Sequence, residues 1–150
     1  MAAYFAYDVL KSDVGTPEMQ VVAGAIYVAA VAFMKRQYRT IALLALLGAA
    51  VLGAVIYVFE RVPGISQEEL ALKTALAFLV GASASMLSGI IGMFVAVKSN
   101  LRTAAAARTS IGDALRIALR GGAVSGILVV GLSLIGVSVM FIAYDGFARP

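Results

Sequence analysis

The sequence predicts an all-α integral membrane protein with three complete transmembrane helices and a further N-terminal helix that is amphipathic or cytoplasmic. Three observations carry that prediction. Apolar residues make up 62% of the 150 and charged ones only 13%, against roughly 45–50% and about 25% in soluble domains. Residues 41–59, 75–97 and 121–144 contain no Asp, Glu, Lys or Arg, and each approaches or exceeds the ~20 residues needed to cross a hydrocarbon core. Finally, the ten-residue alternation of a membrane β-barrel is absent, so helices that satisfy their own backbone are the remaining solution.

The elements follow in order within one membrane unit, residues 1–150. "MAAYFAYDVLKSD" lacks a basic start, and its apolar run ends at Asp8, so it reads as the end of a first helix (residues 1–10) rather than a signal peptide. Thr16-Pro17-Glu18 combines an N-cap, a proline at N1 and an acid in the first turn, which starts a helix over residues 17–39. The apolar stretch 21–34 is too short to span alone. Either it lies in the interface or it packs as a cytoplasmic extension of the first span, from which Lys35, Arg36 and Arg39 divide it. After span 41–59, "ERVPGISQEELALK" holds a Pro63-Gly64 turn and the capping box Ser66 to Glu69, which opens the helix leading into span 75–97. Residues 98–120 form a basic loop with a compact helical corner at Ala104 to Ala107. Ser110 with Asp113 starts the helix that enters span 121–144.

Charge sets the expected orientation. Lys98, Arg102, Arg108, Arg116 and Arg120 face only Asp113 in the third connection, and Lys35, Arg36 and Arg39 precede the first span. The connection after the first span is slightly acidic, so the basic segments are expected in the cytoplasm and "YDGFARP" outside. The net charge of +4 is then a mark of membrane orientation, and no nucleic-acid partner is expected.

The chain carries little chemistry. With no cysteine and no histidine, thiolate and imidazole ligands and nucleophiles are excluded. Asp8, Asp13, Glu18, Asp113 and Asp145 are scattered, with no spacing that builds an oxygen cage for Mg²⁺ or Ca²⁺. No charge inside a span marks an ion path, and no glycine run is followed by Lys-Ser/Thr. Catalytic, cofactor-binding and metal-binding residues are therefore expected to be none. Small residues at four-residue spacing, Gly81/Ser85/Gly89, Ser88/Gly92 and Gly122/Gly126, fit close helix packing, although glycine and serine are also simply frequent in membrane helices. Lys98, Arg102 and Arg108 form either an anion site or a cytoplasmic flank against lipid headgroups.

"GTPEMQ", "AFMKRQYRTIA", "SGIIGMFVAVKSNLRTAAAAR" and "ALRIALRGGAVSG", in this order from Gly15 toward Gly131, resemble the N-terminal part of the membrane-bound, ion-translocating inorganic pyrophosphatases. The resemblance implies a much longer parent of two concentric helix rings acting as a homodimer. It would hydrolyse Mg²⁺-pyrophosphate at a cytoplasmic site and move H⁺ or Na⁺, in some cases with K⁺, across a multi-pass membrane protein of the inner membrane if prokaryotic. This chain would supply outer-ring helices packed on lipid and on the remaining helices of the same enzyme. The family's Asp- and Lys-rich motifs are missing here. Asp13-Val14-Gly15 is similar to the opening of its substrate loop but continues as Thr16-Pro17-Glu18, so no ligand is carried onto it. Tyr27 and Val28 stand where members commonly have a polar or acidic residue. The chain alone is expected to be inactive; the alternative is a small non-enzymatic membrane packing or assembly subunit.

Overall fold

The computed structural model describes residues 1–61 and 64–144. Among them are four helices and no strand: α1 (Ala2–Lys11), α2 (Pro17–Phe59), α3 (Gln67–Ala107) and α4 (Ile111–Ala143). The last three are long and apolar enough to cross a membrane, which makes this an all-α membrane protein. Pro63 of the expected turn and the tail from residue 145 lie outside the described residues.

Each long helix starts where a hydroxyl can take an orphan amide. The Met19 amide donates to Thr16 Oγ1 at 3.4 Å, the Glu69 amide to Ser66 Oγ at 3.2 Å and the Asp113 amide to Ser110 Oγ at 3.2 Å, each serving the N3 position. Gly15 (φ 71°) reverses the chain between α1 and α2. A side chain there would be strained by the left-handed conformation, and its Cβ would stand 2.9 Å from Met19 Sδ and 3.1 Å from Ala105 Cβ.

Between the expected 17–39 helix and the 41–59 span there is no break. Lys35 to Thr40 continue α2 as helix, because straight-chain Lys, Arg and Gln favour that state and neither Gly nor Pro interrupts it. The expected 17–39 helix and the 41–59 span are thus one helix, Pro17–Phe59. Most of the basic stretch 98–120 is likewise helical, and only Arg108 to Ser110 break α3 from α4.

The packing divides into two units, Met1–Arg36 with Leu87–Gly131, and Gln37–Met86 with Leu132–Pro150. In the first, α3 and α4 approach through small residues. A Cβ added at Gly92 would lie 2.6 Å from Ser125 Oγ, and one at Gly121 would lie 2.8 Å from Ser99 Cβ. Val9 and Val124 are its fully buried side chains. In the second, the Phe78 ring packs on Gly48, 3.3 Å from where a Cβ would be, and Ala75 packs on Gly53. Tyr144 donates its hydroxyl to the Lys73 carbonyl at 2.7 Å. These contacts are close backbone approaches, the means by which helices associate where lipid removes the hydrophobic drive.

Candidate functional site

The basic residues after Gly92 are the chemistry this chain offers. Arg102 sits on α3 where the C-terminus of α1 arrives. Its Nε and Nη2 donate to the Leu10 carbonyl at 3.2 and 2.9 Å, and its Nη1 donates to the Lys98 carbonyl at 2.9 Å. A guanidinium fork thus satisfies a carbonyl of the last turn of α1, the negative end of that helix dipole. Partial burial lowers the Arg102 pKa from its ordinary value by desolvation, and arginine stays charged regardless.

Arg120 on α4 pairs with Asp8 on α1, its guanidinium 5.8 Å from the Phe5 ring centre. Lys98 lies 4.5 Å above the Phe94 ring centre and 5.9 Å from that of Tyr27, and the two rings meet edge-on at 6.1 Å, a cation–π arrangement. Three of the basic side chains are therefore turned onto carbonyls, a carboxylate and rings of the same unit. Of the suspected anion set Lys98, Arg102 and Arg108, the structure does not bring the charges to one point: Arg102 is committed to Leu10, Lys98 to the aromatic pair, and Arg108 is in the turn after α3.

In the same unit a groove of about 390 Å³ lies between Met19, Val22 and Ile26 of α2 and Val97, Leu101 and Ala104 of α3. Glu18 and Asn100 are its polar members. The Glu18 amide and the Thr16 hydroxyl hold the Glu18 carboxyl below the usual carboxylate range, as expected at a helix start. Among the described residues no group of three acids, His or Cys could hold a metal, and no buried side-chain N or O atom lacks a hydrogen-bond partner.

Sequence reasoning missed the pairings that dock α1. Asp8–Arg120 and Leu10–Arg102 join residues 112 and 92 apart, and no local spacing marks such partners. The small-residue faces divide. Gly92 is used within this chain, against Ser125, whereas a Cβ at Gly81, Gly122 or Gly126 would meet nothing within 4 Å; on α4 the contacts run through Gly121 and Ser125, which the sequence reading did not single out as a face.

Three helices long and apolar enough to cross a membrane, with hydroxyl-capped starts and close glycine contacts, define a multi-pass membrane protein. Its family is shown by comparison. Residues 1–149 match the inorganic H⁺ pyrophosphatase family, and the chain belongs to it. It is 48% identical over all 150 residues to a K⁺-insensitive pyrophosphate-energized proton pump 2 of Moorella thermoacetica, covering 20% of that protein. Over 93% of the chain it is 46% identical to a K⁺-insensitive pyrophosphate-energized proton pump of Caldanaerobacter subterraneus, again covering 20% of it. Pyrophosphate-energized membrane proton pump 3 of Arabidopsis thaliana is 37% identical over 94% of the chain, which covers 18% of that protein. The chain thus spans about a fifth of the length of these relatives. No solved structure gives a significant match.

Proposed function

We propose that this chain is the N-terminal, outer-ring segment of a pyrophosphate-energised proton pump, in which hydrolysis of Mg²⁺-pyrophosphate drives ion movement across the membrane. The observation that carries the reading is identity over the whole chain to proteins named as such pumps, together with three helices of spanning length. The contribution of this segment is architectural. It supplies outer helices, while Mg²⁺, pyrophosphate and the ion gate belong to acids and lysines elsewhere in the parent. Family membership over residues 1–149 disfavours the separate packing subunit.

Several finer features belong to the same proposal. The transported ion is H⁺ rather than Na⁺ and K⁺ is not required, by the names of the relatives. The basic segments face the cytoplasm by the excess of Lys and Arg. The membrane is the inner membrane if the source is prokaryotic, and the assembled pump is a homodimer of the kind the family resemblance implies.

The test is a chimera. Residues 1–150 replace the matched segment of the Moorella relative, and inverted vesicles are assayed for phosphate release from Mg²⁺-pyrophosphate and for acid uptake, with and without K⁺. Both activities are expected in the chimera without K⁺, and phosphate release no higher than background from the 150-residue chain alone. Turnover by the isolated chain, or a folded chimera that neither hydrolyses nor pumps, overturns the assignment.

A further inference from the structure

The groove between α2 and α3 lies within the unit formed by Met1–Arg36 and Leu87–Gly131, and Glu18 and Asn100 are the only polar residues on its walls. From Glu18 to Ile26 it follows α2 for two turns, about 12 Å. Its volume of about 390 Å³ is that of pockets which enclose a bound group. Val22 and Ile26 are 61% and 52% exposed along it, so this chain leaves much of the groove's apolar surface uncovered.

Glu18 decides what fits there. It is the first groove residue on α2 and is exposed, and its own amide and the Thr16 hydroxyl favour the ionised carboxylate. Among the described residues it forms no ion pair. Lys98, Arg102 and Arg120 of the same unit are turned onto Phe94, the Leu10 carbonyl and Asp8. A phospholipid fits poorly: with its acyl chain along Val22 and Ile26, the phosphate next to that chain would face the carboxylate, and like charges repel. A protein helix meets no such conflict. Its side-chain ridge packs into a groove between two others, and a Lys or Arg beside its apolar face can lay its stem on apolar surface and extend its charge to the carboxylate. The chain spans only about a fifth of the relatives' length, which leaves most of a pump polypeptide to supply that helix.

We propose that this groove seats a helix from the remainder of the pump polypeptide, its apolar face against Val22, Ile26 and Leu101, and that a Lys or Arg within one turn of that face pairs with Glu18. The inference rests on the pump reading, since the occupant belongs to the same polypeptide.

The test uses the full-length chimera with the Moorella relative, carrying the photoreactive p-benzoylphenylalanine in place of Val22 or of Ile26. After irradiation in the membrane, digestion and mass spectrometry locate each cross-link. Both positions are expected to reach one apolar segment outside residues 1–150, at sites three or four residues apart, with a Lys or Arg within one turn. Glu18→Lys should lower that cross-linking about 5-fold, Glu18→Gln should lower it less, and exchanging the mapped Lys or Arg for Glu in the Glu18→Lys background should restore it. Phosphate release and acid uptake by the unsubstituted chimera read the pump assignment separately. An inactive chimera overturns that assignment and this inference together. In an active chimera, cross-links only to α3 or to lipid, or a cross-linked dimer on denaturing gels, overturn the groove's occupant. A mapped segment without a Lys or Arg, or no rescue by the charge exchange, overturns the pairing with Glu18.

Discussion

Replacing Gly121 by Ala puts the close approach of α3 and α4 to the test. The added methyl would stand 2.8 Å from Ser99 Cβ, where carbon atoms prefer about 3.5–4.0 Å. Rotation of the Ser99 hydroxyl does not relieve this, since Cβ is fixed to the backbone, so α3 and α4 must separate by roughly 1 Å. Overpacking of this kind costs about 1–3 kcal/mol, offset by up to ~1 kcal/mol of helix propensity gained by Ala over Gly. Gly122→Ala is the control: nothing lies within 4 Å of its Cβ, so it keeps the propensity gain without the clash. The propensity gain is common to both variants, so, unfolded thermally or by denaturant in the same lipid or detergent, they are expected to differ by the overpacking cost of about 1–3 kcal/mol, with Gly121→Ala the less stable. Ser99→Gly removes the opposing Cβ and should restore much of the loss, a coupling measurable in a double-mutant cycle. Equal stability of Gly121→Ala and Gly122→Ala, or no rescue by Ser99→Gly, would refute the close approach.

Other contacts give shorter tests. Arg102→Ala removes the donors to the Leu10 and Lys98 carbonyls and should cost about 1.5–3 kcal/mol, with hydrogen exchange rising first in α1; Arg102→Lys recovers part of this, since an ammonium cannot span both carbonyls as a fork. Thr16→Ala deletes the N-cap of α2 at about 0.5–2 kcal/mol and should move Glu18 toward the ordinary carboxylate range, read by NMR titration. Because the folded Glu18 pKa lies below its unfolded value, its contribution is present above the unfolded carboxylate range and is lost as pH falls through the folded value. Stability of the wild type should therefore fall more than that of Thr16→Ala on acidification. Asp8→Asn breaks the pair with Arg120 and should loosen α1 by proteolysis, more at low than at high salt.

Much of the fold was legible because its signals are local. The uncharged runs announced three crossing helices, and Thr16, Ser66 and Ser110 marked helix starts that the N3 amide bonds now occupy. The basic patch was less legible. Nothing about Lys98, Arg102 and Arg120 in sequence distinguishes cations facing solvent from cations turned onto a ring, a helix end and a carboxylate.

Composition and hydropathy by themselves determined that this protein is helical and crosses a membrane, because hydrocarbon admits no unpaired backbone and few charges. Tertiary structure decided which side chains meet within each unit. In one unit Tyr27 meets Phe94 and Gly121 meets Ser99, and in the other Gly48 meets Phe78. An uncharged run records only that a segment tolerates lipid; which side chain each small residue meets is set by partners far away in the sequence.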